Sequence, residues 1–140
     1  MSRFTSRTQL MDYLGAKQKN VVWSWCAVNE EEQKVYFSLW SDLRKKRDGV
    51  RVSYLVQEPH WGVDARSGAK SAARKDHDEK LVLVFEHSYE AFGYVVEAED
   101  TGAEPRKIES TATSFVFQLE LQRLQDGTVL GYPTSRINIG

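Results

Sequence analysis

The chain has 140 residues, a net charge of -1 at pH 7, 41% hydrophobic residues and 28% charged residues. This length suits one domain with one core, so we predict a single domain over residues 1–140. The composition excludes a disordered or fibrous protein, and the near-zero net charge excludes a general attraction to polyanions.

The first elements are a short helix and a hairpin. Ser6 and Gln9 have the spacing of a capping box, and Gly15 is placed to end the helix that follows. Residues 21–28, VVWSWCAV, are β-branched and aromatic, which is typical of a strand. The polar NEEEQK then predicts a turn into a second strand, VYFSLW, at residues 35–40.

The middle of the chain is less regular. A charged loop, DLRKKRDG at residues 42–49, precedes a half-buried strand, VRVSYLV at residues 50–56. Residues 63–80 are polar and form either a surface helix or a mobile loop. LVLVF at residues 81–85 is continuously apolar, which predicts a central strand covered on both faces.

The last third predicts further strands. They are FGYVVEAED at residues 92–100, FVFQLELQRL at residues 115–124, and TVLGYP at residues 128–133 after an Asp126-Gly127 hairpin turn. With six or seven strands and one or two helices, we predict an α+β fold. Its sheet should be strongly curved and mostly antiparallel, or a small barrel, with the helices packed on it.

Compartment and chemistry are constrained by absences in the sequence. The single cysteine, Cys26, cannot form an internal disulfide, and no cysteine or histidine spacing indicates a metal site. We interpret Cys26 as a small buried side chain. With no apolar signal segment and no stretch of roughly 20 apolar residues, we expect a cytoplasmic protein with no membrane partner.

Catalysis is poorly supported. No histidine lies beside a serine or the cysteine at a spacing that indicates a nucleophile and its base, and no glycine-rich phosphate loop occurs. We therefore predict no catalytic residue and no cofactor. A remote alternative is an enzyme that holds a small ligand among the tryptophans and uses His60 or His87 as a base.

The four tryptophans are the most informative residues. Trp23 and Trp25 would point to one face of a strand, where they are either core residues or stacking residues. Trp40 would project from the neighbouring strand, and Trp61 lies in a loop with no pattern that requires burial. We expect Trp40 and Trp61 to be the better candidates for contact with a base.

Basic residues cluster near these rings. They are Arg44, Lys45, Lys46, Arg47 and Arg51 after Trp40; Arg66, Lys70, Arg74 and Lys75 in the middle segment; and Arg106 with Lys107. Basic side chains near exposed aromatics are the usual footprint of nucleic-acid binding, although a charge run is also often only a solvated loop.

Four stretches carry a resemblance to a known family. VVWSWCAV, KVYFSLWSD and AFGYVVEAED with EPRKIES resemble the amino-terminal recognition domain of bacterial HNH-type restriction endonucleases, over roughly residues 8–125. In that family a glycine follows Trp-Ser-Trp, and Cys26 replaces it here. The nuclease's paired histidines and asparagine have no counterpart in this chain.

The resemblance implies a DNA-binding module that reads DNA, including modified bases, for a nuclease supplied by another chain in a restriction-like defence system. The positions that match the family motifs are Trp23, Trp25, Trp40, Asp42, Arg106 and Lys107. Asp42 could accept a hydrogen bond from an exocyclic amine or simply begin a turn. The main alternative is a protein-interaction module with no affinity for nucleic acid.

Overall fold

The computed structural model describes residues 6–20, 24–46, 52–102 and 107–139, with the backbone alone at Lys46. This part of the chain forms two α-helices, one short 3-10 helix and eight strands. In chain order the elements are α1 (Arg7–Leu14), β1 (Cys26–Asn29), β2 (Lys34–Trp40), η1 (Ser41–Leu43), β3 (Arg44–Lys46), β4 (Val52–Gln57), α2 (Ala72–His87), β5 (Glu90–Ala98), β6 (Ile108–Thr111), β7 (Phe115–Arg123) and β8 (Val129–Asn138). Neither described helix is long and apolar enough to cross a membrane.

One mixed sheet contains all eight strands in the order β1-β2-β5-β7-β8-β4-β3, and β6 pairs with the carboxyl end of β5. Six of the seven described strand pairs are antiparallel, and β2 and β5 are parallel. The sheet curls so strongly that β2 contacts β4, although three strands separate them. No pairing among the described strands closes the sheet into a barrel. The two α-helices and the mostly antiparallel sheet confirm the predicted α+β class.

Two hydrophobic clusters lie on opposite faces of the sheet. Phe37 and Leu39 of β2 belong to the cluster that includes Leu81 of α2. Tyr36 of the same strand belongs to the other cluster, which includes Leu10 of α1. Because side chains alternate along a strand, β2 is covered on both faces. Each helix is held by this burial, which contributes about 1.5–3 kcal/mol for a fully buried leucine.

The predicted helix and hairpins at the two ends of the chain are confirmed. The hydroxyl of Ser6 accepts a hydrogen bond from Gln9 N at 3.2 Å, and Gly15 ends α1 in the left-handed conformation. A turn at residues 30–33 joins the antiparallel β1 and β2. The other hairpin joins β7 to β8 with Gly127 at a φ of 98°. Only glycine adopts such a φ without strain.

The prediction of a central strand at residues 81–85 is wrong, because this segment is the second half of α2. Ser71 caps the helix by accepting from Arg74 N at 3.1 Å. Good helix formers follow, and the apolar run continues the helix instead of starting a strand. Its residues are not all covered: Leu81 is buried, but Val82 and Phe85 are each 37% exposed. The strand pair with both faces buried is β2 with β5.

Two other boundaries differ from the prediction. The first strand begins at Cys26, so Trp25 precedes the strand instead of lying in it, and Trp23 lies outside the described residues. Arg44–Lys46 form an edge strand, β3, instead of a loop. The 3-10 turn η1 redirects the chain so that Arg44 lies opposite Tyr54 in β4. Charged side chains suit a sheet edge because they discourage pairing with other chains.

Candidate nucleic-acid interface

A groove opens at the edge of the sheet where the carboxyl ends of β2 and β5 meet the amino ends of β1 and β6. The loop at residues 58–70 and the first turn of α2 form its other wall. The groove has a volume of about 1210 Å³. We call it the indole groove and define it by Arg7, Trp25, Trp40, Trp61, His77 and Lys107.

Two of the three indoles are positioned by the β1–β2 hairpin. The backbone oxygen of Trp25 accepts hydrogen bonds from both Ser38 N, at 3.3 Å, and Ser38 Oγ, at 2.8 Å. Trp40 is the last residue of β2 and packs beside Ile108 against the cluster under α1. Both tryptophans are half-buried and line the groove.

The third indole, that of Trp61, lies in a loop for which the sequence predicted no buried ring. The ring of Trp61 meets that of Trp25 edge to face, with centroids 6.3 Å apart and planes at 84°. Arg74 of α2 is buried and holds this loop. Its Nη1 donates to the backbone oxygens of Pro59 and Trp61, each at 2.8 Å, and approaches that of Glu58 at 3.4 Å.

Arg74 belongs to a polar network centred on Asp78. The carboxylate of Asp78 accepts from Lys70 Nζ at 2.9 Å, from Arg74 Nε at 3.0 Å and from Gln57 Nε2 at 3.2 Å. Partial burial raises the pKa of Asp78, but the three hydrogen bonds outweigh burial and leave the pKa below its usual value. The network therefore links α2 to β4 and to the loop that carries Trp61.

His77 lies beneath the indoles and was not among the predicted site residues. It is 2% exposed, and its ring contacts Trp25 edge to face with centroids 5.4 Å apart. Nδ1 lies 2.6 Å from Gln57 Oε1. Burial lowers the pKa of His77 from 6.5 to about 4, Asp78 opposes that shift, and Arg74 adds to it. His77 is therefore neutral at pH 7.

The charges along the groove are mixed. Arg7, Lys70 and Lys107 line it, but Lys70 is ion-paired with Asp78. Two carboxylates, Glu58 and Asp64, also line it. The described lining thus carries a small excess of positive charge.

The predicted contact residues divide into three groups. Trp25, Trp40, Trp61 and Lys107 line the groove together. Asp42, Arg44 and Lys45 are exposed on either side of Leu43, which lines it, so they lie near the groove and not in it. The remaining predicted residues lie outside the described part of the chain: Trp23, Arg47, Arg51, Arg106 and the side chain of Lys46.

The second basic cluster is not a single charged surface. Arg66, Lys70 and Lys75 are exposed, but Arg74 is 8% exposed and its guanidinium faces backbone oxygens and Asp78. Arg74 lies on the buried side of α2, as do its neighbour Ala73 and, about one turn later, His77. This arginine positions the loop.

The two histidines of the enzyme alternative are not brought together. His60 is exposed on the groove wall, with Nε2 at 3.3 Å from a carboxylate oxygen of Glu58. His87 is exposed in the last turn of α2 and is not part of the groove lining. Among the described residues, no three histidine, cysteine, aspartate or glutamate side chains are grouped to hold a metal ion.

Sequence reasoning placed Arg74 in an exposed basic cluster and missed His77, because it ended the middle segment at a false strand. Ala73, His77 and Leu81 are spaced by four residues and are all buried on α2. That spacing is the signal of one helical face. Because residues 81–85 were interpreted as a strand, Leu81 was not counted with Ala73 and His77, and the helical spacing was not recognised.

We expect Gly62→Ala to destabilise the Trp61 loop more than Gly68→Ala does. Both glycines have left-handed φ values, 65° and 74°, so both substitutions carry a similar backbone cost of about 1–2 kcal/mol. At Gly62 the new Cβ would also lie 2.7 Å from Ser71 Oγ, 2.8 Å from Arg74 Cβ and 2.9 Å from the Trp25 ring, whereas Gly68 has open space.

Urea unfolding of both variants measures the difference. Overpacking adds about 1–3 kcal/mol to the cost at Gly62. Equal free energies of unfolding for the two variants would contradict the close approach of loop, helix and Trp25 ring.

The groove is also the main guide to function, since comparison with known proteins adds no relative. The residues that carry the resemblance to HNH-type recognition domains are partly in the groove, namely Trp25, Trp40 and Lys107. No family model, no curated protein and no solved structure matches this chain.

Proposed function

We propose that the protein is a DNA-binding recognition module that holds a base in the indole groove. The observation that carries the proposal is the convergence of Trp25 and Trp40, from the β1–β2 hairpin, and Trp61, from the loop at residues 58–70, on one groove. All three rings are half-buried. Trp25 and Trp61 do pack against each other, but all three indoles also border a shared open space, which indoles used only as core would not be expected to leave.

Stacking on an aromatic ring is the contact that every base can make, and it is worth about 1–3 kcal/mol per base. Trp25 and Trp61 meet edge to face, so the planes of the two rings lie nearly at a right angle to each other. A flat ligand can lie against one ring while the other borders its edge. A base reaches such a site from a single strand or after extrusion from a duplex.

The size of the groove favours part of a polymer as its occupant. Pockets for small molecules usually have volumes of about 300–1,000 Å³. The indole groove, at about 1210 Å³, is larger and can accommodate a nucleotide together with its backbone. This comparison favours a polymer over a free metabolite.

Phosphate contacts would come from the groove and its surroundings. Arg7 and Lys107 lie in the groove, and the exposed Arg44 and Lys45 lie on the neighbouring edge strand. Such contacts supply affinity that is sensitive to salt but independent of sequence. The proposed division of roles is that cations hold the backbone and indoles hold the base.

The finer parts of the proposal rest on the resemblance to HNH-type recognition domains. By that analogy the module selects DNA, including DNA with modified bases, for a partner nuclease in a restriction-like defence system. A second candidate is a protein-interaction module, which Glu58 and Asp64 favour because two carboxylates beside the indoles would suit a basic peptide.

The test measures the binding of a labelled duplex by fluorescence anisotropy at several salt concentrations. We expect Trp61→Ala to weaken binding by about tenfold or more, because it removes one stacking surface. We expect the double variant Arg44→Glu, Lys45→Glu to weaken binding and to reduce its dependence on salt. No binding of any duplex at low salt would contradict the proposal and favour the interaction module.

The matched control for charge is the double variant Arg123→Glu, Arg136→Glu. Both arginines lie outside the groove lining, over the rings of Phe85 and Phe115, and their reversal changes the net charge by the same amount. This variant should bind as the wild type does, apart from a small loss of long-range attraction. Equal weakening in both double variants would contradict the placement of the phosphate contacts.

A further inference from the structure

We propose that His77 determines which base the indole groove accepts, by presenting Nε2 as a fixed acceptor to an N–H donor on the base. Exocyclic amino groups, as in cytosine and adenine, are donors of this kind. The inference rests on the proposed function and specifies the ligand chemistry of the same groove.

The first step is the tautomer of His77, which the surrounding network fixes. The Asp78 carboxylate can only accept hydrogen bonds, so Gln57 must turn its amide nitrogen toward Asp78, at 3.2 Å. The amide oxygen of Gln57 then faces His77 and can only accept. Nδ1 of His77 must therefore donate across the 2.6 Å contact, and in the neutral ring Nε2 carries the lone pair.

The orientation of Gln57 is itself secured. Lys70 and Arg74 bind the same carboxylate, at 2.9 Å and 3.0 Å, and keep Asp78 ionised and in place. A reversed amide would set the Gln57 oxygen against that carboxylate. The acceptor character of Nε2 is thus set by four side chains, those of Gln57, Asp78, Lys70 and Arg74, of which only Lys70 lines the groove.

The second step is the accessibility of Nε2. Within the described residues, the only fully buried side-chain nitrogen or oxygen without a partner is Tyr94 Oη. No hydrogen bond in the same part of the chain involves His77 Nε2, so this atom keeps some accessible surface. His77 lines the indole groove but is almost fully buried, so Nε2 presents only a small accessible surface, at the base of that groove.

The third step is the position of a base. The His77 ring lies 5.4 Å from the Trp25 ring, and Trp25 lies 6.3 Å from Trp61. A base packed against Trp25 brings an edge toward His77. A base with an N–H at that edge satisfies Nε2, whereas a base without one leaves a desolvated acceptor unpaired. Such a difference changes affinity on the order of tenfold or more.

The experiment compares two duplexes that differ by one amino group. In the first, a central cytosine lies opposite an abasic site, so that its extrusion costs little. In the second, 2-pyrimidinone, which is cytosine without the amino group, replaces it. We expect the wild type to bind the cytosine duplex on the order of tenfold more tightly.

The variant His77→Asn tests the role of the residue. Its amide nitrogen can replace Nδ1 as the donor to Gln57, but no atom replaces Nε2. We expect it to bind both duplexes with nearly equal affinity, close to the wild-type affinity for the pyrimidinone duplex. His60→Asn is the matched control, because His60 lines the groove wall while exposed, and it should retain the wild-type preference.

The outcomes separate this inference from the proposed function. Equal wild-type affinity for the two duplexes, or a preference that persists in His77→Asn, would overturn the role of His77 and leave DNA binding intact. Failure to bind either duplex would overturn both proposals. Circular dichroism checks that His77→Asn is folded; if it is not, the wild-type ratio alone decides, a tenfold preference supporting the inference and equal binding overturning it.

Discussion

The free energy of unfolding is expected to fall by about 2 kcal/mol between pH 7 and pH 5, because His77 is buried as a neutral ring. In the unfolded chain its pKa has the ordinary value of 6.5, whereas burial lowers it to about 4 in the folded protein. Between these values the unfolded state binds a proton that the folded state does not. The stability from this site is therefore complete above pH 6.5 and lost as the pH falls toward 4.

The effects of the neighbouring charges on the pKa of His77 partly cancel. Burial is the largest cause of the lowered pKa; Asp78 and Asp76 favour the charged ring, and Arg74 and Lys80 oppose it. Asp76 is itself buried and paired with Lys80 at 2.7 Å. The net result is a ring that resists protonation, and so protonation is coupled to unfolding.

Urea unfolding at pH 7, pH 6 and pH 5 measures this dependence. His77→Asn should have a nearly constant free energy of unfolding over that range, whatever its absolute stability. His87→Asn is the control, because His87 is exposed on the same helix, and it should keep the wild-type slope. A wild-type free energy that does not change between pH 7 and pH 5 would contradict the buried neutral ring.

Arg74→Met is expected to destabilise the protein by about 3 kcal/mol or more and to disorder the position of Trp61. The substitution keeps an unbranched apolar stem but removes every donor of the guanidinium. The backbone oxygens of Pro59 and Trp61 would lose their shared partner, and the Asp78 carboxylate would lose one of three. Because these groups are partly buried, water replaces the guanidinium only incompletely.

Lys75→Met provides the comparison for Arg74→Met. Lys75 is the next residue on α2, exposed, and has the same formal charge. Its substitution should change the free energy of unfolding by less than about 0.5 kcal/mol. Near-ultraviolet circular dichroism should also change for Arg74→Met alone, because the Trp25–Trp61 ring contact depends on the loop. Similar free energies of unfolding for the two variants would show that Arg74 does not hold the loop.

Local signals in the sequence predicted the local parts of the fold correctly. The capping box at Ser6 and Gln9, with Gly15 after it, bounded α1 because those residues satisfy the helix ends themselves. The β7–β8 hairpin was equally visible, since its alternation and its Asp126-Gly127 turn are both encoded within a few residues. Such elements depend little on the rest of the chain.

Elements that depend on distant partners were not predictable in the same way. LVLVF has the composition of a strand, yet the helix that Ser71 starts continues through it and packs Leu81 on the sheet. The parallel pairing of β2 with β5 joins residues more than fifty positions apart. No local pattern indicates such a partner.

The candidate site was predicted by residue type but not by arrangement. Aromatic content singled out the tryptophans, and the structure places Trp25, Trp40 and Trp61 on one groove. The burial of Arg74 and of His77, from which their roles follow, was not recognised, because a charged or polar residue does not reveal in sequence that it is buried. Their helical spacing could have been seen only with the correct extent of α2.

The most direct test of the account is tryptophan fluorescence of the wild type during titration with short duplexes, carrying either cytosine or a modified cytosine, at low and moderate salt. We predict saturable quenching that weakens as salt rises and is tightest with one of the modified duplexes, since a base would then lie against an indole. Unchanged fluorescence with every duplex at low salt would contradict the assignment of the indole groove as a site for DNA.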